Sequence, residues 1–393
     1  MLKRYSVLLA LAGLVCFASQ TSKAATLVVD DTLSCPGATY MTIQAAVTAA
    51  APGDTIKVCA GTYNENVDIP ATLTGLSLKG AKAGVFYAFR TFGSASESTV
   101  RGVLSTGTGV ITVRAPNVTI DGFSVTNSPT LFASLGIVVK QTGNAALITN
   151  NIFDTVTTAD LSVNGTAQAV YLETGPDNVK ILANKMNNIR SNRSAKGVLI
   201  GSNGGTDPSQ NTLIFGNYIS NVTSDTRGAY GVSVASVPNI SGLQIVGNVI
   251  DKLTGTLGWA HAIGLEGDTP GVKVLGNSIS NVVAPGVDRM AVWFESNPSF
   301  SSGQVNYNNF NDGIVVYGIA VHPLLTGTPV DGKCNWWGSS SGPGPVGPGS
   351  GAKVSPNVTY QPWLTSPAPF GKCNGPKNEK DKDHDHHSDD DDD

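Results

Sequence analysis

Charge is scarce in this chain: only 14% of its 393 residues are Asp, Glu, Lys or Arg, and aromatics make up 7%. Helices of ordinary length need charged outer faces, and the 45 Gly and 21 Pro break them, so a helical protein is excluded. A basic excess is also missing. The formal charge of −4 divides into +3 over the first 24 residues, −6 over the last 18, and about −1 over the body between them. A body so close to neutral has no electrostatic footprint for phosphates, which excludes nucleic acid as a partner. Long apolar runs are absent as well. The longest, Val7 to Ala18, is shorter than the ~18–20 residues that cross a bilayer, so no membrane span is expected.

That run follows Lys3-Arg4 and precedes Ser22-Lys23-Ala24, with small residues placed for cleavage after Ala24. Residues 1–24 therefore read as an export signal, which makes the protein secreted or cell-surface. Removing it leaves Cys35, Cys59, Cys334 and Cys373, an even number in an exported chain, which points to disulfides. Counting does not separate the three connectivities. Sequence proximity favours Cys35 with Cys59 and Cys334 with Cys373, and no pair has zinc-site or C-x-x-C spacing. Residues 374–393 are Asp, Glu, Lys and His with almost nothing apolar, a composition expected to stay disordered.

What the body does contain is a repeat. Asp121, Asn151, Asn184, Asn217, Asn248, Asn277 and Asn308 are separated by 30, 33, 33, 31, 29 and 31 residues. A β-branched residue stands three positions before each, from Val118 to Val305, and a large apolar one two positions after, from Phe123 to Phe310. Between successive Asn positions a second strand aligns in two apolar columns: Ile137, Val170, Val198, Val232, Ile263, Val292, Ile314, and Val139, Leu172, Ile200, Val234, Leu265, Phe294, Val316. No unit has room for a crossover helix. Each unit must therefore make one coil of a parallel β-solenoid, with coils stacked about 4.8 Å apart and the Ile and Val columns merged into one core. The Asn column fits a sharp bend between two strands, because Asn tolerates the left-handed conformation and its amide bonds the one in the next coil. A solenoid needs capped ends. Residues 41–51 have helical apolar spacing and supply a short N-terminal capping helix; Cys334 to Cys373, with Trp336, Trp337, Tyr360 and Trp363, supplies a C-terminal plug.

Tyr40 to Val67 (YMTIQAAVTAAAPGDTIKVCAGTYNENV) resembles the entry segment of the pectin-lyase-like right-handed β-helix superfamily, and the Asn ladder resembles its coils. Cys334 to Pro343 (CNWWGSSSGP) with Gln361-Pro362-Trp363-Leu364 is similar to the closing segment of secreted bacterial β-helix proteins. The resemblance implies an all-β right-handed parallel β-helix over residues 25–373. It does not imply one reaction, because the pectin methylesterase D-F-I-F-G motif and the polygalacturonase set are absent.

In that superfamily the sugar cleft runs along the first strand of the coil. Alternation gives this strand two outward columns: Lys140, Glu173, Gly201, Ala235, Glu266, Glu295, Tyr317, and Val138, Tyr171, Leu199, Ser233, Gly264, Trp293, Val315. Glu266 and Glu295 then stack about 5 Å apart at the backbone. His261 and Arg289 join them as candidate catalytic groups. Trp259, Trp293, Tyr171 and Glu173 are candidate substrate contacts, and Asp268 completes a carboxylate set for Ca²⁺, the only cofactor the cluster suggests. The expected function is binding or cleavage of an extracellular acidic polysaccharide by lyase or hydrolase chemistry, by a monomer. The alternative is a non-catalytic surface or adhesin-like scaffold.

Overall fold

The computed structural model describes residues 23–103, 108–127, 133–158, 165–201, 206–235, 239–286, 288–295, 303–311, 316–325, 327–345, 347 and 349–373. The export signal, apart from Lys23 and Ala24, and the acidic tail lie outside the described residues. Every coil contributes a strand to each of up to three sheets, and all strand pairs named within them are parallel. Counted over the described residues, as are the other two sheets, sheet A has 12 strands, from Thr26–Val29 to Val358–Thr359, and contains the strand just before each Asn corner. Sheet B has nine and contains the strand just after it; sheet C has 11, including Thr166–Leu172, Ser194–Ile200, Ala229–Val234, Ala260–Leu265 and Arg289–Phe294. The one α-helix among the described residues, Ile43–Ala49, buries Ile43, Ala46 and Val47 against the first coil. Thr42 caps it, and Glu65 accepts from the free N–H groups of Ile43 and Gln44.

The Asn corner explains itself from amide chemistry. The backbone N–H and Nδ2 of Asn217 both donate to Oδ1 of Asn248, at 2.9 Å each, while its Nδ2 also reaches Ile181 and Phe215 carbonyls. The same pattern runs from Asn151 to Asn308, every member at 0% exposure. No water reaches this corner, so each amide must satisfy the next.

Four details differ from the sequence reading. First, Asp121 is not a rung. It pairs with Thr149, and the backbone N–H of Phe123 bonds to Asn151 Oδ1, so the first unit shifts by two residues and Ile120 and Val125 take the core positions. Both sets of residues are apolar and buried, which is why spacing alone did not distinguish them. Second, Asn335, inside the closing segment, extends the ladder by accepting from Asn308. Third, the left-handed backbone falls on the residue before the ladder Asn, at Asn150, Ala183, Tyr307 and Cys334 and at Gly216, Gly247 and Gly276. The Asn side chain serves the ladder instead. Fourth, sheet C continues from Val292 and Phe294 to Ile319 and Val321, not to Ile314 and Val316; Ile314 lies outside the described residues. The outward partners of Glu295 and Trp293 are therefore His322 and Ala320.

Both ends are tied by disulfides, Cys35–Cys59 and Cys334–Cys373. Trp337 is wholly buried, its ring 5.2 Å from that of Phe310, and plugs the last coil.

Candidate functional site on the outer face of sheet C

The strands of sheet C do not alternate strictly. Cβ atoms placed on Gly136, Gly197 and Gly231 would point inward, at Phe153, Ile219 and Ile250 of sheet B. The next residues, Ile137, Val198 and Val232, are also core. Two successive inward residues bend the strand and turn the column just before them outward: Lys196, Tyr230, His261 and Met290, in register. The signal was present in the sequence, since the first inward position carries only Gly or Ala: Gly136, Ala169, Gly197, Gly231, Ala262, Ala291 and Gly318.

This bend lays the Tyr230 ring across the next coil. A Cβ on Gly264 would lie 2.7 Å from that ring, so the absent side chain makes room for it. The Tyr230 hydroxyl donates to Glu266 Oε1 at 2.6 Å and accepts from Trp259 Nε1 at 2.5 Å. The Lys196 ammonium sits 5.4 Å from the Tyr230 ring centroid. Burial pushes the Tyr230 hydroxyl well above the usual tyrosine range, and the Glu266 charge pushes it further the same way. Burial pulls Lys196 down; the Glu266 charge opposes this and Arg193 reinforces it.

Glu266 and Glu295 occupy neighbouring rungs, bonded through their backbone N–H groups to the Val234 and Leu265 carbonyls. Their carboxylates are served separately: Glu295 Oε2 accepts from Trp293 Nε1 at 2.5 Å. His261, 5% exposed, holds Asp288 through Nε2 at 3.0 Å, while its Nδ1 is buried without a hydrogen-bond partner. Its ring lies among those of Tyr230, Trp259 and Trp293, at 5.6, 6.5 and 5.9 Å. The structure thus brings Trp259, His261, Glu266, Trp293 and Glu295 together, and adds Lys196, Tyr230 and His322, which the sequence reading did not include in the site.

Other candidates stand apart. Arg289 pairs with Ala260 in a column of buried alanines, Ala167, Ala195 and Ala229, beside the His261 column and not in it; its Nε is buried without a partner. Glu173 is ion-paired with Lys140 at 2.5 Å, and Glu173 and Tyr171 lie three coils before Glu266 and Gly264, about 14 Å along the axis. Asp268 is 1% exposed with Oδ1 unpartnered. Among the described residues no three His, Cys, Asp or Glu side chains converge as a metal site, so Asp268, Glu266 and Glu295 do not form a Ca²⁺ cage.

A family model described as "Protein of unknown function (DUF1565)" matches residues 30–176, and so ends before Lys196. No curated protein matches the chain. Similar solved structures include an alginate lyase from Paenibacillus sp. (14% identity, TM-score 0.41, 76% of this chain and 96% of that one). A pectin methylesterase from carrot follows at 14% identity and TM-score 0.39, covering 79% and 91%. A rhamnogalacturonan lyase matches at 11% and 0.43, covering 76% and 86%. The parallel β-helix of this chain stands on its own strand pairing; likeness at this level says nothing about reaction or substrate.

Proposed function

We propose that the protein acts outside the cytoplasm on an acidic polysaccharide, which lies along the outer face of sheet C and is cleaved there by β-elimination. The observation that carries the reading is the Lys196–Tyr230–Glu266 arrangement. A structural solenoid has no need of a lysine, a tyrosine, a histidine and two carboxylates packed together on one outer face, and perturbed groups so clustered mark reactive sites. The two disulfides support an oxidising compartment.

Elimination suits these groups better than hydrolysis does. A hydrolase needs one carboxyl to donate a proton. Here each carboxyl accepts from a fixed donor, Tyr230 or Trp293. Elimination instead removes the proton next to a uronate carboxyl group, forms the C4–C5 double bond, and breaks the bond to the leaving oxygen, which takes up a proton. Lys196, shifted toward its neutral form, is the base in this reading, and Tyr230, kept protonated, turns its hydroxyl from Glu266 to give the leaving oxygen its proton. Trp259 and Glu266 position the Tyr230 hydroxyl. Trp293 offers a half-buried ring on which a sugar face can stack.

The test is a screen of uronate polymers for unsaturated ends, followed by Tyr230→Phe and Lys196→Met. Each variant should lose at least about a hundredfold in turnover while the chain remains folded. Reducing ends without unsaturation would overturn elimination. Binding with no cleavage of any polymer would favour the scaffold alternative.

A further inference from the structure

A concave site lies on sheet A, toward the C-terminal end and away from the sheet C cluster. It is an open cleft of about 560 Å³, within the roughly 300–1,000 Å³ range of small-ligand sites. Its floor is one outward column in register, Lys273, Gln304, Asp331 and Thr359, at about 4.8 Å per coil. Lys333 and Pro329 flank it. The floor is rigid: Asp331 N–H bonds to the Gly303 carbonyl at 3.0 Å, and the Asn306 amide holds the Asp331 and Lys333 carbonyls at 3.3 and 3.0 Å.

We propose that this cleft is a saccharide-binding site for a short acidic oligosaccharide, independent of the sheet C reading. Lys273 and Lys333 are exposed and neither forms an ion pair among the described residues, so the cleft lining sets two ammonium groups against the single Asp331 carboxylate. They bind a uronate carboxylate. Gln304, Asp331 and Thr359 offer the amide, carboxylate and hydroxyl that pair with sugar hydroxyl groups, and Asp331 places an acceptor where a simple anion would be repelled. That alternation of cation, amide, anion and hydroxyl suits a sugar acid better than a bare anion. The space is kept open at Gly271, where an added Cβ would meet nothing within 4 Å.

Calorimetry of the full chain with trigalacturonate, triguluronate and neutral maltotriose tests this. The parent is a chain whose sheet C face is disabled by Glu266→Gln, Glu295→Gln and Trp293→Ala, so that failure here is distinct from failure there. At least one acidic trisaccharide should still bind, and maltotriose should not. Lys273→Gln with Lys333→Gln should weaken binding at least about tenfold, through loss of charge-assisted contacts. Gly271→Asn, the side chain that tolerates the left-handed backbone (φ +65°) best after glycine, should block the cleft at a small cost in melting temperature. The proposal is overturned if the parent binds neither acidic trisaccharide, if the lysine variants bind as well as the parent, or if sulfate displaces the sugar at equal concentration.

Discussion

The Asn corner and the outer face of sheet C are both packed polar regions, and they are built in opposite ways. At the corner one residue type repeats, and each amide satisfies the next from Asn151 to Asn335. On sheet C the register is as regular, yet the occupants change at every coil: Lys196, Tyr230, His261, Met290. His261 Nδ1 in this column, and Ser233 Oγ in the Leu199–Gly264 column of the same sheet, are buried without partners. Repetition of one side chain along a solenoid marks a role in stacking coils, because every coil has the same need. A break in repetition with unpaired polar atoms marks a local purpose, since stacking would be better served by Val or Thr.

The contrast can be broken most forcefully at the corner. Asn217→Leu removes both bonds that Asn217 Oδ1 accepts from Asn184, and it takes the amide donor away from the Ile181 and Phe215 carbonyls, of which Phe215 keeps only the Ala183 N–H. A loss of about 3–5 kcal/mol is expected in chemical denaturation; a loss under about 1 kcal/mol would mean the ladder is ornamental. Gly264→Ala should cost less, about 1–3 kcal/mol, because the new Cβ meets the Tyr230 ring at 2.7 and 2.8 Å. It should also abolish activity by displacing the hydroxyl from Glu266.

Tyr230→Phe sharpens the comparison through pH. The folded-state pKa of Tyr230 is raised by burial and then by Glu266, so its contribution to stability is complete below the ordinary tyrosine value near 10. Above that value the unfolded chain releases a proton that the folded chain keeps, and stability falls. Tyr63 and Tyr87 are also raised, mainly by burial, so wild type and variant both weaken at high pH. The variant should lose less, by up to about 1.4 kcal/mol per pH unit above 10. Equal alkaline curves would place Tyr230 in a water-exposed setting. The smallest stability effect belongs to Glu266→Gln and Glu295→Gln, about 1 kcal/mol or less, since the amide oxygen can still accept from Tyr230 or Trp293. Turnover should nevertheless fall, and variants that cleave at the wild-type rate would remove both carboxylates from the site.

Much of this molecule was legible in the sequence because a solenoid writes each contact many times. Ile263 and Val292 declare their inward position through five other β-branched residues in the same column, Ile137, Val170, Val198, Val232 and each other. The reading failed where repetition failed. At Asp121 and Ile314 the pattern had one neighbouring unit to anchor it, and an apolar residue two or five positions away served the core equally well. The Lys196 and Tyr230 column was lost to strict alternation, although the run of small residues at Gly197, Gly231 and Ala262 marked the bend.

The sequence by itself determined the β-helix, the corner ladder and the adjacency of Glu266 and Glu295, because these follow from periodicity, and it favoured the local disulfide pairs by chain proximity alone. Only the tertiary structure decided which groups touch. The reach of a Tyr230 side chain across a glycine to Glu266, the Trp259 donor behind it, and the exclusion of Arg289 from that column depend on a bend in the strand, which changes the direction of side chains without changing their spacing.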